Sequence, residues 1–366
     1  MIRRGRRSWQ DNSVSRAEHD RIITLVNSLT DAVLSTDKDG IVTIYNAAAM
    51  SLLDVNAGIH GRHINDLLQL TTLQHQPLDV FRQLSRSPAI RVRDDILMLL
   101  KHGDKIRLEA TFAPILGGHS AVADGYVLIL RDITKAKSLE QERDEFISVV
   151  SHELRTPVAV AEGALDNARL LAQRGYTRKV YEALQEAHRQ VVFLARMIND
   201  LGTLSRTERG LADAPEVIDL IPLVKQLHET YAPQAAAKSL AFNLDIDPQA
   251  GSVYVSRLYL EELLQNFITN AIKYTPRGAI TLIVRRQQTH VTISVKDTGI
   301  GIGKSDLNKI FDRFYRAEDY RTRQTSGTGL GLYIARKLAQ KLETTIHVTS
   351  RLNHGSTFSF TLPIYH

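Results

Sequence analysis

The sequence predicts three folded parts in a row: a small mixed α+β domain, a hairpin of two amphipathic helices, and an α/β domain. Three observations predict this. At 366 residues the chain is too long for one ordinary core. Residues 136–207 hold a single proline and few glycines, and their apolar residues recur at helical spacing. The regions on either side are instead punctuated by turn signals and short β-branched runs.

Residues 1–20 read as a polar tail. "MIRRGRR" is followed by polar "SWQDNSVSRAEHD", so it is neither a secretory nor a twin-arginine signal. No run of about 18 apolar residues occurs, so no segment is expected to span a bilayer. The expected location is cytoplasmic. Membrane contact is left only to the arginines of the tail, at roughly 1 kcal/mol per charge, or to a segment upstream of this sequence. A hydrophobic fraction of 43% and a charged fraction of 23% are those of a globular protein. The absence of cysteine excludes disulfides, thiolate metal sites and cysteine nucleophiles. The net charge of +6 is modest, and no long basic stripe accompanies it, so no nucleic-acid partner is expected.

Residues 21–135 alternate turn signals ("DKDG", "GIHGRH", "LGGHS", "ADG") with runs such as "IVTIY" and "YVLIL", the pattern of a small α+β domain.

Residues 136–210 are the helical hairpin. In the first helix, at roughly 100° per residue, Phe146, Ile147, Val150, Leu154, Pro157, Val158 and Leu165 gather on one side. His152 points away from them, with Thr156 one turn further along its own face. "QRGYT" supplies a glycine turn. In the second helix Val180, Leu184, Ala187, Val191, Leu194, Ile198 and Leu201 form a heptad seam. A lone hairpin buries only part of two such faces, so pairing with a second copy into a four-helix bundle is expected; an intramolecular partner is the alternative.

Residues 212–366 return to mixed composition, with "AITLIV" and "VTISV" as strands. In "LEELLQNFITNAIKYTP", Leu260, Leu263, Leu264, Phe267, Ile268 and Ala271 line one helical face, while Asn266, Asn270 and Lys273 share another. Two carboxamides and an ammonium suit a magnesium–phosphate site, because amide oxygens are hard ligands and lysine is a compact positive charge; alone, the trio would be an ordinary solvated face. Further on, Asp297 precedes Gly299 and Gly301 in "DTGIGI", where backbone must approach a ligand closely. "GTGLGL" (Gly327, Gly329, Leu330, Gly331) then opens a helical run, and a glycine loop at a helix N-terminus suits phosphate. No G-K-[ST] follows it, which excludes a Walker loop.

"SHELRTP", "NFITNAIKYTP", "DTGIGI", "FDRFYR" and "GTGLGL", in this order, resemble the sequence boxes of bacterial sensor histidine kinases. "DAVLSTDKDGIVTIYNAAAMSLL" and "GYVLILRDIT" are similar to the start and end of a PAS sensor domain. The resemblance implies a PAS-like sensor over 21–135, a dimerisation and phosphotransfer hairpin over 136–210, and a catalytic ATP-binding domain over 212–366. The last would be the α/β sandwich of the Bergerat (GHKL) type, shared with DNA gyrase and the heat-shock chaperone ATPases. It also implies roles. Asp297 would accept from the adenine amino group. Asn270, helped by Asn266, would hold Mg²⁺ on the phosphates of ATP, and Lys273 and Tyr274 would contact the nucleotide. The glycines would shape the end of a lid over 304–326, and Arg313 and Arg316 would touch phosphate. The PAS ligand, if there is one, is not named by the sequence.

His152 becomes the expected phosphoacceptor, Glu153 the group that orients its ring and takes its proton, and Thr156 the holder of a water for phosphatase chemistry. Pro157 would bend the helix just below the site by removing a backbone donor. The implied partners are a second copy and a separate response regulator. One departure stands out: "PVAVAEG" places Gly163 inside the helix, at about 1 kcal/mol relative to alanine. An ATP hydrolase of the same fold is disfavoured because Asn266 stands where such enzymes carry a glutamate base. A degenerate scaffold is disfavoured because His152 and Asn270 are both intact.

Overall fold

The structure, a computed structural model, describes residues 21, 24–56, 58–86, 89–100, 102–116, 123–210, 213–317 and 327–365. The expected tail over 1–20 lies outside the described residues, as does 318–326 of the expected lid. The chain divides into two compact units, Met1–Val150 and Ser151–His366.

The first unit is built on one antiparallel sheet of seven strands, in the order β2-β1-β7-β6-β5-β3-β4. The strands are β1 (Ala32–Asp37), β2 (Val42–Tyr45), β3 (Leu70–Thr72), β4 (Pro77–Leu78), β5 (Arg91–Leu99), β6 (Lys105–Leu116) and β7 (Ala123–Asp132). Short helices α1 (Ala47–Leu53), α2 (Ile64–Leu67) and α3 (Val80–Ser85) lie between the strands. Alternation sends Leu34, Val42, Ile96, Leu108 and Leu128 inward, all fully buried, and Ile64 of α2 joins them. Asn46 ties helix to sheet: its Oδ1 accepts from Ala49 N and Val33 N, and its Nδ2 donates to the Asp31 carbonyl. One buried side chain thereby satisfies a helix N-terminus and a strand end together.

The hairpin consists of α4 (Thr134–Gln173) and α5 (Thr177–Glu208). Gly175, at φ +76°, turns the chain between them in a conformation that favours glycine. Helix α4 continues through Pro157, which is buried and has no N–H to offer the Glu153 carbonyl one turn back.

The positions buried within the chain match the expected stripes only in part, at Pro157 and Ala187. On α4, Pro157, Ala161 and Ala168 are buried, while Ile147, Val158 and Leu165 are exposed. On α5, Ala183, Ala187, Met197 and Leu204 are buried, but Leu184, Val191 and Ile198 are exposed, by 45, 57 and 61%. Each helix carries an apolar arc wider than a single seam. The part covered within the chain is offset by about one residue from the part the heptad spacing selected.

The last portion is a two-layer α/β sandwich. Its larger sheet has the order β13-β14-β12-β11-β9, antiparallel except for the parallel pair β9 and β11. These strands are β9 (Leu240–Ile246), β11 (Gly278–Arg286), β12 (His290–Asp297), β13 (His347–Arg351) and β14 (Gly355–Pro363). A small sheet pairs β8 (Glu216–Asp219) with β10 (Ser252–Val255). Three helices cover the larger sheet: α6 (Leu220–Ala237), α7 (Arg257–Tyr274) and α8 (Gly331–Lys341). Helix α6 packs on β9, α7 on β11 and β12, and α8 on α7. The predicted apolar face of α7 is buried in full, from Leu260 to Ala271. Its Phe267 ring lies 5.4 Å from that of Phe358 and 6.2 Å from that of Phe360 on β14. At about 1.5–3 kcal/mol for each large apolar side chain, this face fixes the rotation of α7 about its axis. Asn266, Asn270 and Lys273 consequently look away from the sheet.

Candidate nucleotide site

Both ends of α7 are fastened. The Ser256 hydroxyl accepts from Tyr259 N at the N-terminus. At the other end Lys238 Nζ reaches from just past α6 to the carbonyls of Ile272 and Lys273, at 2.9 and 3.1 Å, where the helix dipole favours a cation. The chain then turns into β11.

Asp297 ends β12, the middle strand of the larger sheet, and is only 7% exposed. Its Oδ1 accepts from Gly299 N at 2.7 Å. Burial pushes the carboxyl up from the ordinary aspartate range, and backbone N–H groups of Gly299 and Ser356 pull it partly back. The glycines beside it are required. A Cβ on Gly299 would press on the Tyr274 carbonyl and lie 2.8 Å from Asp297 Oδ1. Gly301 has φ +66°, and a Cβ there would strike the Arg351 carbonyl. Thr275 is fully buried beside Gly299, and its hydroxyl has no hydrogen-bond partner among the described residues.

A cavity of about 310 Å³ opens above Asp297. Asn270, Tyr274, Gly301 and Arg316 line it together with Asp297, and apolar walls come from Ile300, Ile310, Leu332 and Phe358. A buried carboxylate at the floor of an apolar slot is suited to a flat, nitrogen-bearing ring: the slot takes the ring faces and the carboxylate takes an N–H.

The remaining predicted residues cluster at the glycine loop. Lys273 Nζ stands where a Cβ on Gly327 would be, and 4.6 Å from the Tyr274 ring centre. Asn266 donates to the Glu262 carbonyl, and its Oδ1 would lie 3.0 Å from a Cβ on Gly331. Gly329 has φ +72° and meets the Phe314 backbone. This loop therefore lies against the polar face of α7, with room for nothing larger than hydrogen at several positions.

Two of the predicted residues, Leu330 and Arg313, do not line the cavity. Leu330 is fully buried, and its N–H is taken by the Thr328 hydroxyl at 3.2 Å, so its side chain serves the core under α8. Arg313 lies 4.9 Å over the Tyr333 ring, whereas Arg316 lines the cavity. Sequence reading missed Thr275 and Ser356. A lone threonine or serine after an apolar run carries no signal until the backbone brings it beside Asp297.

His152 is solvent-facing, with 76% of its side chain exposed. Its Nδ1 lies 3.5 Å from Glu153 Oε1, and the Thr156 hydroxyl donates to the His152 carbonyl at 3.4 Å. None of the three lines the cavity. Among the described residues no group of three or more His, Asp or Glu is placed to hold a metal, and no helix is long and apolar enough to cross a membrane.

Comparison with known proteins adds three family matches. Residues 30–135 match the PAS domain, 142–210 the His Kinase A (phospho-acceptor) domain, and 256–366 the histidine kinase-, DNA gyrase B- and HSP90-like ATPase. The sensor histidine kinase WalK of Bacillus subtilis is 29% identical over 96% of this chain and 56% of its own length. The alginate biosynthesis sensor protein KinB of Pseudomonas aeruginosa is 28% identical over 94% of this chain and 57% of its own. The chain thus spans a little over half the length of these relatives. The solved structure of the Acinetobacter baumannii histidine kinase AdeS aligns with 59% of this chain and 98% of its own, at 24% identity and a TM-score of 0.45. In that order the chain carries a PAS domain, a phospho-acceptor hairpin and an ATPase domain of the histidine kinase type, the domain set of a sensor histidine kinase.

Proposed function

We propose that this chain transfers the γ-phosphoryl group of ATP to His152, and from there to an aspartate of a separate response regulator. The observation that carries the reading is the cavity: a buried carboxylate, Asp297, at its floor, with Asn270 on its wall and a glycine loop packed against Asn266 and Lys273 on the same helix. The floor fits adenine and the polar side fits a triphosphate.

On this reading Asp297 accepts from the exocyclic amine, while Tyr274 and the apolar walls flank the ring. Asn270 and Asn266 would hold Mg²⁺ through amide oxygens, the ligand type of a hard cation that keeps most of its shell from water and phosphate. When bound, the ion neutralises charge on the phosphate oxygens. Lys273 and Arg316 add positive charge. The Nδ1 of His152 faces Glu153, so Nε2 is the nitrogen left to attack. The Nε2–P bond forms as the bond from phosphorus to the ADP oxygen breaks. The imidazolium so formed passes its Nδ1 proton to the Glu153 carboxylate. Thr156, one turn on, offers a hydroxyl to hold a water in line with a regulator's phosphoaspartate. Attack by that water on phosphorus breaks the acyl-phosphate bond and releases inorganic phosphate, a separate phosphatase activity.

We assign the sensor to 21–135, the phosphotransfer hairpin to 136–210 and the catalytic domain to 212–366, and we infer a cytoplasmic homodimer. The test is incubation of the full chain with γ-labelled ATP and Mg²⁺. The expected product is labelled protein whose label is labile in acid and stable in base, and His152→Gln abolishes it. Labelling that persists in His152→Gln overturns the assignment.

A further inference from the structure

Helix α8, which opens with the glycine loop, packs against helix α5 of the hairpin. At that contact the Thr328 hydroxyl donates to Asp200 Oδ2 at 2.6 Å, while accepting from Leu330 N. Met197, Leu204 and Thr207, at helical spacing around Asp200, are all buried. The carboxylate is therefore seated in an interface, and it ends at the middle of "GTGLGL".

Its surroundings are the ones assigned above to phosphate. Lys273 is close enough to stabilise the Asp200 charge, as is Arg196 one turn earlier on α5. Glu262 of α7 lies near as a second acid, with Arg206 of α5 offsetting it. Burial pushes the carboxyls of both Asp200 and Glu262 up. A short charge-assisted bond to Thr328 and the field of Lys273 hold Asp200 in place. A nucleotide triphosphate needs the same lysine and the same loop, and it brings several negative charges to where one already stands. Like charges gathered at one loop, partly shielded from water, repel.

We infer that Asp200 is an internal competitor of the nucleotide's phosphates, a latch by which the hairpin holds the glycine loop until triphosphate displaces it. This rests on the ATP-site reading above. It assigns Asp200 a regulatory role rather than a catalytic one. Because coupling is reciprocal, any shift of α5 that withdraws Asp200 strengthens nucleotide binding, and bound triphosphate loosens α5 from α8.

The test uses the full chain, with Asp200→Asn, which keeps the shape and removes the charge, and Asp200→Ala, which removes the bond as well. Titration calorimetry with Mg²⁺ compares a non-hydrolysable ATP analogue, ADP and adenosine. The expected result is a tightening of about 5-fold or more for the triphosphate, the scale of a functional coupling, a smaller gain for ADP and none for adenosine. Circular dichroism checks that both variants remain folded. Triphosphate affinity that is unchanged or weaker in both folded variants, with adenosine bound as in the wild type, overturns the latch and leaves the ATP site standing. If the wild-type chain binds neither adenosine nor the analogue, the ATP-site reading itself fails, and the latch with it.

Discussion

Gly299 donates its N–H to the carboxylate of Asp297, two residues before it, at 2.7 Å; Asp297 is only 7% exposed. The bond offsets only part of the cost of burial, for the carboxyl stays above its ordinary range. A carboxyl raised on folding contributes stability below its unfolded pKa and loses it as pH rises through the folded value. In the nucleotide-free protein the charged Asp297 is therefore a liability at pH 7. Asp297→Asn is expected to raise the melting temperature at pH 7 by about 2 °C or more, and to weaken binding of an ATP analogue. The gain should vanish below about pH 3.9, where both states are protonated. Thermal melts from pH 3 to 7 beside calorimetry check both halves; a variant less stable at pH 7 refutes the first.

Glu153 and Thr156 are expected to divide two activities. Glu153→Ala should slow autophosphorylation by about 10²-fold or more, the scale of a lost general base. Thr156→Ala should leave autophosphorylation within a few-fold and lower phosphatase activity toward the cognate regulator. Rates of labelling and of label loss from the phosphorylated regulator read the two separately. Equal loss of both activities in a folded Thr156→Ala protein counts against the division.

Two glycine-to-alanine changes should have opposite signs. Gly163 lies mid-helix, and a Cβ added there would meet nothing within 4 Å, so Gly163→Ala should stabilise by about 1 kcal/mol. Gly301 is left-handed and its Cβ would enter the Arg351 backbone. Gly301→Ala should destabilise by about 1–2 kcal/mol from conformation alone, with loss of nucleotide binding. Denaturant titration of both proteins decides.

Val191 and Ile198 lie 57 and 61% exposed on α5 in the single chain. Double substitution to aspartate should leave the monomer fold intact, since neither is in its core, and abolish the dimer in light scattering. A dimer of unchanged mass would place the interface elsewhere.

Legibility varied with the range of the interactions. The face of α7 was readable because helical periodicity persists from Leu260 to Ala271 and every apolar position on it is buried. Strand β5 was not, for its alternation is broken by an irregularity between Arg93 and Ile96, which puts Asp94 and Asp95 mid-strand. The hairpin's helices were legible, but not which part of each apolar arc is covered within the chain, since spacing reports burial without saying against what. Asp297, Asn270 and the glycines were singled out by their motifs, and of these Asp297, Asn270 and Gly301 line the cavity. Asp200 could not be singled out, because its partner Thr328 is 128 residues away and an acid on a helix ordinarily faces water.

The middle position of β12 also sets a difference in local opening. The amides leading to Asp297 are bonded on both sides, to β11 and to β14, so they should exchange with solvent deuterium only when the whole domain unfolds. The segment from Gly303 to Tyr315 is joined mainly by short-range turn bonds such as Asp306 N to the Gly303 carbonyl and Asp312 N to the Lys309 carbonyl, and should exchange through small fluctuations. The Asp297 side of the cavity should thus be as durable as the fold, while the turn-bonded side should open many times for each global unfolding. Warming the protein within its folded range should erode grip on the turn-bonded side well before recognition at the Asp297 floor is lost.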